Sequence, residues 1–162
     1  MALDPDRFRA VLGRFASGVT ILTVRDADGT DHGMTVSAFC SVSLSPPLVL
    51  ACIDKTADMY DLLERASYFG ISILAEGQEA LSRRFAEPSP ETEGGRFEGV
   101  GFSRGDSGVA LLDDALAHME CRRLKRHDAG DHGVYLGEVE TATYGTDRPL
   151  LYYRGGYAQM ER

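Results

Sequence analysis

Long apolar runs and closely spaced cysteine pairs are both missing from this chain of 162 residues. No segment has the length and apolar character of a membrane span. The opening residues Met1 to Asp6 carry neither a basic patch nor a hydrophobic stretch, so we expect no secretory signal and a cytoplasmic location. Cys40, Cys52 and Cys121 are odd in number and lack CxxC or Cys/His spacing, which argues against a metal site. Their apolar, strand-like contexts predict reduced, buried thiols.

Basic residues are also in short supply. The chain has 17 Lys and Arg against 25 Asp and Glu, so its net charge is −8. An acidic chain is a poor partner for nucleic acid or an anionic membrane, and we expect neither. The length and the 43% hydrophobic content predict one compact domain over residues 1–162.

Signatures of nucleotide folds and hydrolases are absent as well. The chain contains no GxGxxG, GxxxxGK[ST] or GxSxG pattern. These absences argue against a Rossmann fold, a P-loop and a serine hydrolase.

The helical signals are few. Asp4-Pro5 is typical of a helix start, and apolar residues at helical spacing predict a helix that Gly18 caps. A second, short helix capped by Thr56 or Asp58 is expected through Arg65, and a third over Glu76 to Phe85. The segment Glu87 to Gly95 is expected to be a mobile surface loop.

Strand signals dominate the rest of the chain. About six or seven strands with two or three peripheral helices predict a mainly β (α+β) fold, an antiparallel barrel with helical additions. Two long strands are joined by a hairpin at His127 to Gly133. The strands are expected at Val19–Val24, before and into the Ser-rich segment, and at Leu48–Ile53, Tyr68–Leu74, Ala115–Arg126, Val134–Thr143 and Leu150–Tyr153.

The segment Gly33 to Leu50 is the most informative part of the sequence. Its middle is rich in serine, and Pro46-Pro47 offers no N–H to a neighbouring strand. Such a bare backbone is suited to approach a flat ligand with N–H and hydroxyl groups. A Ser-rich edge strand followed by a turn explains the pattern equally well.

Three cationic residues stand out against the acidic background. Lys55-Thr56 follows a buried strand and is suited to hold a phosphate, although a solvated turn lysine also fits. Arg83 and Arg84 are neighbours on a predicted helix, so at most one of them is expected to face a site.

Two further motifs carry polar or aromatic groups in glycine-rich turns. In Gly130-Asp131-His132-Gly133, Asp131 is placed to orient His132 toward a ligand, although a plain turn with a surface histidine fits too. His32, His118 and His127 have no such context and are interpreted as structural. In Pro149 to Tyr157, tyrosine rings are suited to stack on a heterocycle and Arg154 to bind a phosphate. A terminal strand packed on the core is the alternative.

In combination these motifs resemble a known family. The chain is similar to the short-chain flavin reductases, which supply reduced flavin to two-component flavin-dependent monooxygenases. The resemblance covers nearly the whole chain, and its motifs occur in the family's order. They are Phe8 to Val24, Thr35 to Phe39, Ser43 to Pro47, Gly130 to His132 and Tyr152 to Gly155.

The resemblance implies an FMN-binding split β-barrel that forms a homodimer with flavin sites near the subunit interface. It also implies oxidation of NADH or NADPH by FMN or FAD. The flavin-binding residues that it implies are Thr35, Val36, Ser37 and Ala38 at the isoalloxazine, Ser43 with Asp54, Lys55, Thr56 and Ala57 at the ribityl chain and phosphate, and Arg83 or Arg84 nearby. The nicotinamide nucleotide would contact His132, Tyr152, Tyr153, Arg154 and Gly155.

Hydride transfer between two cofactors needs no protein nucleophile or acid/base pair, which agrees with the missing catalytic signatures. Small side chains at Ser37, Ala38 and Ser41 would leave room for the second ring, and His132 would assist. The alternatives are a non-catalytic flavin-binding protein on the same barrel and a reductase for another acceptor such as a metal centre. A pure flavin binder would not need His132 and Arg154. FMN or FAD, and NADH or NADPH, remain open choices.

Overall fold

The computed structural model describes residues 3–88 and 94–161. Three α-helices, twelve strands and two short 3₁₀ turns are found in these ranges. The helices are α1 (Pro5–Leu12), α2 (Asp58–Arg65) and α3 (Glu79–Ala86). The strands are β1 (Ser17–Gly18), β2 (Thr20–Arg25), β3 (Asp31–Val36), β4 (Phe39–Leu44), β5 (Pro47–Asp54), β6 (Tyr68–Ile73), β7 (Phe102–Arg104), β8 (Ala110–Leu112), β9 (Ala117–Ala129), β10 (His132–Tyr144), β11 (Leu151–Tyr153) and β12 (Gly156–Ala158).

Seven of these strands form one antiparallel sheet in the order β3-β2-β6-β9-β10-β5-β4. Although β3 and β4 lie at opposite edges of this order, only Ser37 and Ala38 separate them in the chain. The Cys52 N–H donates to the Ala38 carbonyl over 2.9 Å, which places the chain leaving β3 directly beside β5. The sheet therefore curls until its two edges meet at Ser37-Ala38. This confirms the antiparallel barrel predicted from the strand pattern and the split form that the resemblance implies.

The core consists of two clusters on either side of β2. Leu22 and Val24 belong to the cluster inside the barrel, which Leu63 of α2 also joins. Ile21 belongs to the second cluster, beneath Phe85 of α3. A strand buried on both faces has a continuous apolar sequence, which is why β2 is easy to recognise.

The first helix is shorter than the sequence indicates. Gly13, not Gly18, caps α1, and Phe15 lies outside the helix with 81% of its surface exposed. The helix ends early because the next residues form a different structure. Gly18 belongs to β1, where it lies opposite Leu151 of β11. Tertiary strand pairing therefore overrides the helical spacing of the apolar residues.

Helix α2 also begins differently from the prediction. Ala57 is its N-cap, rather than Thr56 or Asp58, because the Asp54 carboxylate already holds the Thr56 hydroxyl and N–H. The predicted Glu76 to Phe85 helix is confirmed as a 3₁₀ turn followed by α3.

Four short strands were not predicted from the sequence: β1, β7, β8 and β12. With two or three residues each, they are too short for a periodic signal. The hairpin between β9 and β10 is tighter than predicted, since the strands extend to Ala129 and His132. Only Gly130 and Asp131 form the turn.

The cysteines correct another expectation. All three thiols are free, but only Cys121 is buried, and burial raises its pKa to about 12. Cys52 is half-buried and Cys40 is exposed. The prediction of three buried thiols fails because Cys52 and Cys40, which lies opposite Leu50, are on the outer face of the sheet, and Cys40 is also on the edge strand β4. Of the predicted loop Glu87 to Gly95, residues 89–93 lie outside the described residues.

Candidate functional site

Strand register brings the Ser-rich segment, the Lys55 turn and the histidine hairpin to one place. His132 lies opposite Asp54, and Val134 lies opposite Cys52. The next neighbour beyond Cys52 is Ala38, through the bond between the Cys52 N–H and the Ala38 carbonyl. Residues far apart in the chain are thus adjacent across three neighbouring segments.

The stretch from Thr35 to Ala38 presents both buried and open groups. The Thr35 hydroxyl donates to the Ser82 carbonyl of α3 over 2.6 Å, and Val36 is buried. Ser37 and Ala38 follow at the break between β3 and β4, and both are exposed. Two small exposed residues at a strand break leave an open floor on which a flat ring can lie. On β4, Ser41 is exposed and Ser43 half-buried.

The turn from Asp54 to Ala57 leads into the N-terminus of α2. Asp54 accepts from the Thr56 N–H and hydroxyl, both over 2.7 Å, and these bonds hold the pKa of the Asp54 carboxyl below its usual value. At the N-cap itself, Ala57 provides no side-chain capping bond. The Tyr60 N–H bonds the Ala57 carbonyl over 2.9 Å, which leaves the N–H groups of Asp58 and Met59 open to an anion among the described residues. A helix N-terminus is a common phosphate-binding element. This arrangement fits the phosphate of a flavin nucleotide.

Lys55 points toward the histidine hairpin. Its ammonium donates to the Gly130 carbonyl over 2.9 Å and lies 3.8 Å from the Asp128 carboxylate. Its main-chain N–H donates to the Asp131 carbonyl, also over 2.9 Å. The lysine is therefore bound to the hairpin turn at both ends.

His132 is held by its neighbour in the sequence. Its Nδ1 lies 2.7 Å from a carboxylate oxygen of Asp131, and this hydrogen bond lowers the pKa of Asp131. The histidine side chain is 40% exposed. With Nδ1 engaged, Nε2 is the nitrogen left for a ligand. The contact between Asp131 and His132 on which the predicted orientation depends is present.

The two glycines of the hairpin are required for different structural reasons. Gly130 has a φ of 64°, a conformation that L side chains rarely adopt. At Gly133, a Cβ would lie 2.7 Å from Cε2 of Tyr60, so the Tyr60 ring of α2 packs directly on the backbone beside His132. The turn is thereby packed against the helix that begins at Ala57.

A cleft of about 580 Å³ opens beside these groups, between β3, the start of α2, the end of α3 and residues 94–97. Three sequence-predicted residues, Thr35, Thr56 and Ala57, line it. Its wall also contains His32, which the sequence analysis interpreted as structural, and Asp31 and Arg96, which it did not single out. Arg96 donates to the Gly33 carbonyl over 2.8 Å, and burial lowers its pKa. No local motif marks Arg96, because it reaches the cleft only through tertiary contacts.

The two neighbouring arginines of α3 point in different directions, as the sequence predicts. Arg83 pairs with Glu79 over 2.6 Å and stacks over the Tyr157 ring at 4.7 Å. Arg84 donates to the carbonyls of Arg96 and Glu98 over 2.7 and 2.5 Å. Both guanidinium groups are thus engaged by protein groups, and neither is part of the cleft wall that Thr56 joins.

The aromatic ending lies elsewhere. Tyr152 and its neighbours belong to a separate three-stranded sheet, β1-β11-β12, in which the Tyr152 ring meets Tyr157 edge-on at 5.5 Å. Tyr153 is exposed, Arg154 and Gly155 form the turn into β12, and the Arg154 N–H donates to the Gly13 carbonyl.

This small sheet and the histidine hairpin lie at opposite ends of β9. The segment leading into β11 bonds to Leu74, next to Ile73, which lies opposite Ala117 at the start of β9. His132 lies opposite Ala129 at its far end. A strand of this length spans roughly 40 Å when straight. One chain therefore does not bring His132 together with Tyr152 to Gly155.

Two negative findings apply to residues 3–88 and 94–161. No helix in these ranges is long and apolar enough to cross a membrane. No group of three or more His, Cys, Asp or Glu in the same ranges is arranged to hold a metal ion.

The structure is a split barrel in which the exposed Ser37-Ala38 segment lies near a helix N-terminus suited to phosphate and near His132. These features are typical of a barrel protein that binds a nucleotide cofactor. Residues 12–161 match the family model of the flavin reductase like domain. The chain belongs to this family, and the resemblance seen in the sequence is confirmed.

Individual relatives agree over nearly the whole chain. The reductase subunit of a flavin-dependent monooxygenase from Rhodococcus jostii is 40% identical over 99% of this chain and 80% of its own. An NADH-dependent flavin reductase from a Rhodococcus species is 43% identical over 98% of this chain and 90% of its own. The structure of an NADH:FAD oxidoreductase from Streptomyces globisporus superposes with a TM-score of 0.91 at 39% identity, covering 100% of this chain and 98% of that one.

Proposed function

We propose that this protein is an NAD(P)H:flavin oxidoreductase that transfers a hydride from NADH or NADPH to FMN or FAD. The observation that carries the proposal is the convergence of Ser37-Ala38, the Asp54 to Ala57 turn and His132 in the fold of a flavin reductase. The relatives named as NADH-dependent flavin reductases support it.

The flavin side of the site is built from small and main-chain groups. Ser37 and Ala38, with Thr35 and Val36 before them and Ser41 and Ser43 on β4, leave the face of the isoalloxazine open to a second ring. The turn at Asp54 and the N–H groups of α2 hold the ribityl chain and phosphate. Bound flavin and nicotinamide supply the hydride chemistry, while the protein supplies binding, orientation and exclusion of water.

The nicotinamide side is built around His132. Asp131 fixes the imidazole so that Nε2 is free to bond the nicotinamide nucleotide. A protein that only stored flavin would not need an oriented histidine next to its flavin floor, and for this reason we favour the enzyme over a non-catalytic flavin-binding protein.

We infer that the active form is a homodimer. The outer positions of β5 and β10 carry Leu50 and Cys52 beside Leu136 and Val134, an apolar sheet face that starts next to His132. In addition, α1 has no buried residue, and its apolar residues Phe8, Val11 and Leu12 are each more than half exposed. A monomer rarely exposes so much apolar surface, and a second copy of the chain would cover it.

A dimer would also bring together site residues that are far apart within one chain. His132 and the Tyr152, Tyr153, Arg154, Gly155 segment are separated within one chain, so both can contact one nicotinamide nucleotide only if a second copy contributes one of them. Arg83 borders the same small sheet through its contact with Tyr157, whereas Arg84 bonds the carbonyls of Arg96 and Glu98.

The partner reaction follows from the class. Relatives include the reductase subunit of a flavin-dependent monooxygenase, the flavin reductase of a styrene monooxygenase and the flavin reductase component of a two-component tryptophan halogenase. We therefore propose that this protein supplies diffusible reduced flavin to a partner monooxygenase. Residues 1–162 would form a single flavin reductase-like domain. The free thiols agree with a cytoplasmic location.

The test is NADH oxidation by the purified protein with and without added FMN or FAD, followed by the loss of NADH absorbance. Flavin-dependent oxidation that falls strongly in His132→Ala supports the reductase. Flavin binding without NADH or NADPH turnover would support the non-catalytic flavin binder instead. Oxidation that proceeds only with a ferric complex as acceptor would support a reductase for a metal centre.

A further inference from the structure

We propose that Lys55 is a positioning residue, which holds the Gly130-Asp131 turn in place and so sets where His132 meets the nicotinamide, and that it is not a ligand of the flavin phosphate. This inference rests on the proposed function, since it assumes that the nicotinamide nucleotide binds beside His132.

Both ends of Lys55 are committed to the hairpin. The main-chain N–H donates to the Asp131 carbonyl and the ammonium to the Gly130 carbonyl, each over 2.9 Å. These are the only two residues of the turn, and His132 follows immediately. A cation that bonds a neutral carbonyl makes a stronger hydrogen bond than a neutral donor does. Lys55 thus restrains the residue that in turn orients the imidazole.

The hairpin needs this support because its tip projects beyond the adjacent strand. β6 pairs with β9 only as far as Arg122, which lies opposite Tyr68. From Arg123 to Ala129, β9 has no ladder to β6 and forms the open edge of a three-stranded tip, in which β10 lies between β9 and β5. The turn at the end of this open edge gains its remaining contacts from Lys55 and from Tyr60 of α2.

Charge around Lys55 also disfavours a phosphate contact. The Asp128 carboxylate lies 3.8 Å from the ammonium and 3.5 Å from Arg126, and it accepts from the Tyr60 hydroxyl over 3.4 Å. Lys55 therefore already faces a carboxylate and a carbonyl. This network connects α2, whose N-terminus fits the flavin phosphate, to the hairpin that carries His132.

The first experiment compares Lys55→Met with wild type. We expect KM for NADH to rise about tenfold, which is the effect of losing roughly one charge-assisted hydrogen bond. The dissociation constants of FMN and of riboflavin, which lacks the phosphate, should both stay within about twofold of wild type. Lys55→Arg keeps a donor and should restore most of the KM.

Lys125→Met is the matched control. Lys125 is the other lysine of the chain, lies exposed on β9 and takes part in no hydrogen bond or ion pair among the described residues. The Lys125→Met variant loses the same charge as Lys55→Met, and its KM for NADH should equal that of wild type. An equal rise in both variants would overturn the proposal, because it would reduce the effect to net charge.

A double variant separates positioning from direct contact. If Lys55 acts through His132, adding Lys55→Met to His132→Ala should change KM for NADH by less than about twofold. Additive effects would overturn the positioning role. Weaker binding of FMN with unchanged binding of riboflavin would also overturn it and would make Lys55 a phosphate ligand.

The His132→Ala variant tests the proposed nicotinamide site separately from the Lys55 variants. NADH turnover at the wild-type rate in His132→Ala would contradict this site, and the Lys55 proposal would then fail as well. Wild-type protein without any flavin-dependent NADH oxidation would contradict the proposed function as a whole. Far-ultraviolet circular dichroism of each variant establishes that the barrel is folded.

Discussion

Asp131 and His132 are consecutive in the chain, and the carboxylate of the first lies 2.7 Å from Nδ1 of the second. Neighbouring residues in a regular strand point to opposite sides and rarely meet in this way. The contact is possible because Asp131 occupies the two-residue turn that precedes β10. Two consecutive residues thus provide both the imidazole and the carboxylate that orients it.

The role of this contact is testable in Asp131→Asn. The substitution keeps the shape of the side chain but removes its charge, so the preference for a proton on Nδ1 becomes weaker. We expect kcat/KM for NADH to fall about three- to tenfold, a moderate effect because the carboxylate is largely exposed. Binding of FMN should not change. A kcat/KM equal to that of wild type would contradict the orienting role of Asp131.

The close packing of Tyr60 on Gly133 predicts a stability effect. In Gly133→Ala, the new Cβ would lie 2.7 Å from Cε2 of Tyr60, so the ring or the hairpin must shift. We expect the free energy of unfolding to fall by about 1–3 kcal/mol, measured by urea denaturation. The control is Gly77→Ala, where no atom lies within 4 Å of the Cβ position. That variant should be at least as stable as wild type, and equal losses in the two variants would contradict the packing explanation.

The sequence predicted those parts of the fold whose signals are local. The apolar run of β5, the apolar β2 and the glycine-rich turn between β9 and β10 each carry their own pattern, and all are found. The motif around Asp131 was predictable for the same reason, since both of its functional residues are adjacent.

The remaining features depend on contacts between distant segments. The end of α1 is set by pairing with β11, and Arg96 reaches the cleft by bonding the carbonyl of Gly33. The separation of His132 from Tyr152 was equally invisible, because spacing in a chain does not say which end of a long strand a later segment will join. Their grouping in one site came from the family resemblance, and within one chain the structure does not reproduce it.

The apolar face of β5 and β10 predicts the effect of a charge at the proposed dimer interface. In Leu136→Asp, a carboxylate replaces an outward, half-buried side chain that lies opposite Leu50. Because an unpaired charge is costly to bury, we expect the variant to sediment as a monomer and to lose NADH oxidation. Ser103→Asp, an exposed site on β7, should stay dimeric. A dimeric, active Leu136→Asp would contradict this interface.

Buried Glu120 predicts how stability depends on pH. The carboxylate is 5% exposed and accepts from the Ser107 N–H, the Ser107 hydroxyl and the Thr141 hydroxyl over 2.6–2.8 Å. Burial by itself would raise the pKa of Glu120, but these hydrogen bonds outweigh it and the pKa is lowered. A lowered pKa means that the ionised form stabilises the fold above the unfolded-state pKa, and that this contribution is lost as the pH falls through the folded-state value.

The corresponding variant is Glu120→Gln. At neutral pH we expect its free energy of unfolding to be about 1–3 kcal/mol lower than that of wild type, because a neutral amide oxygen accepts hydrogen bonds less strongly than a carboxylate does. The difference in Tm should shrink as the pH falls through the lowered folded-state pKa of Glu120, because the wild-type carboxyl then also becomes protonated. A difference that is the same at neutral and acid pH would show that ionisation of Glu120 is not its cause.

Ser37 is the most direct test of the flavin floor. It is exposed at the break between β3 and β4, so a larger side chain there projects outward and leaves the core unchanged. In Ser37→Leu, the added atoms would occupy the space that the second ring needs to come within about 3–3.5 Å of the first. We expect NADH oxidation to fall by at least about a hundredfold while Tm stays within a few degrees of wild type. Ser103→Leu places the same side chain on exposed β7 and should remain fully active. Wild-type activity in Ser37→Leu would contradict a flavin ring at this strand break, and a large drop in Tm would assign the loss to folding instead.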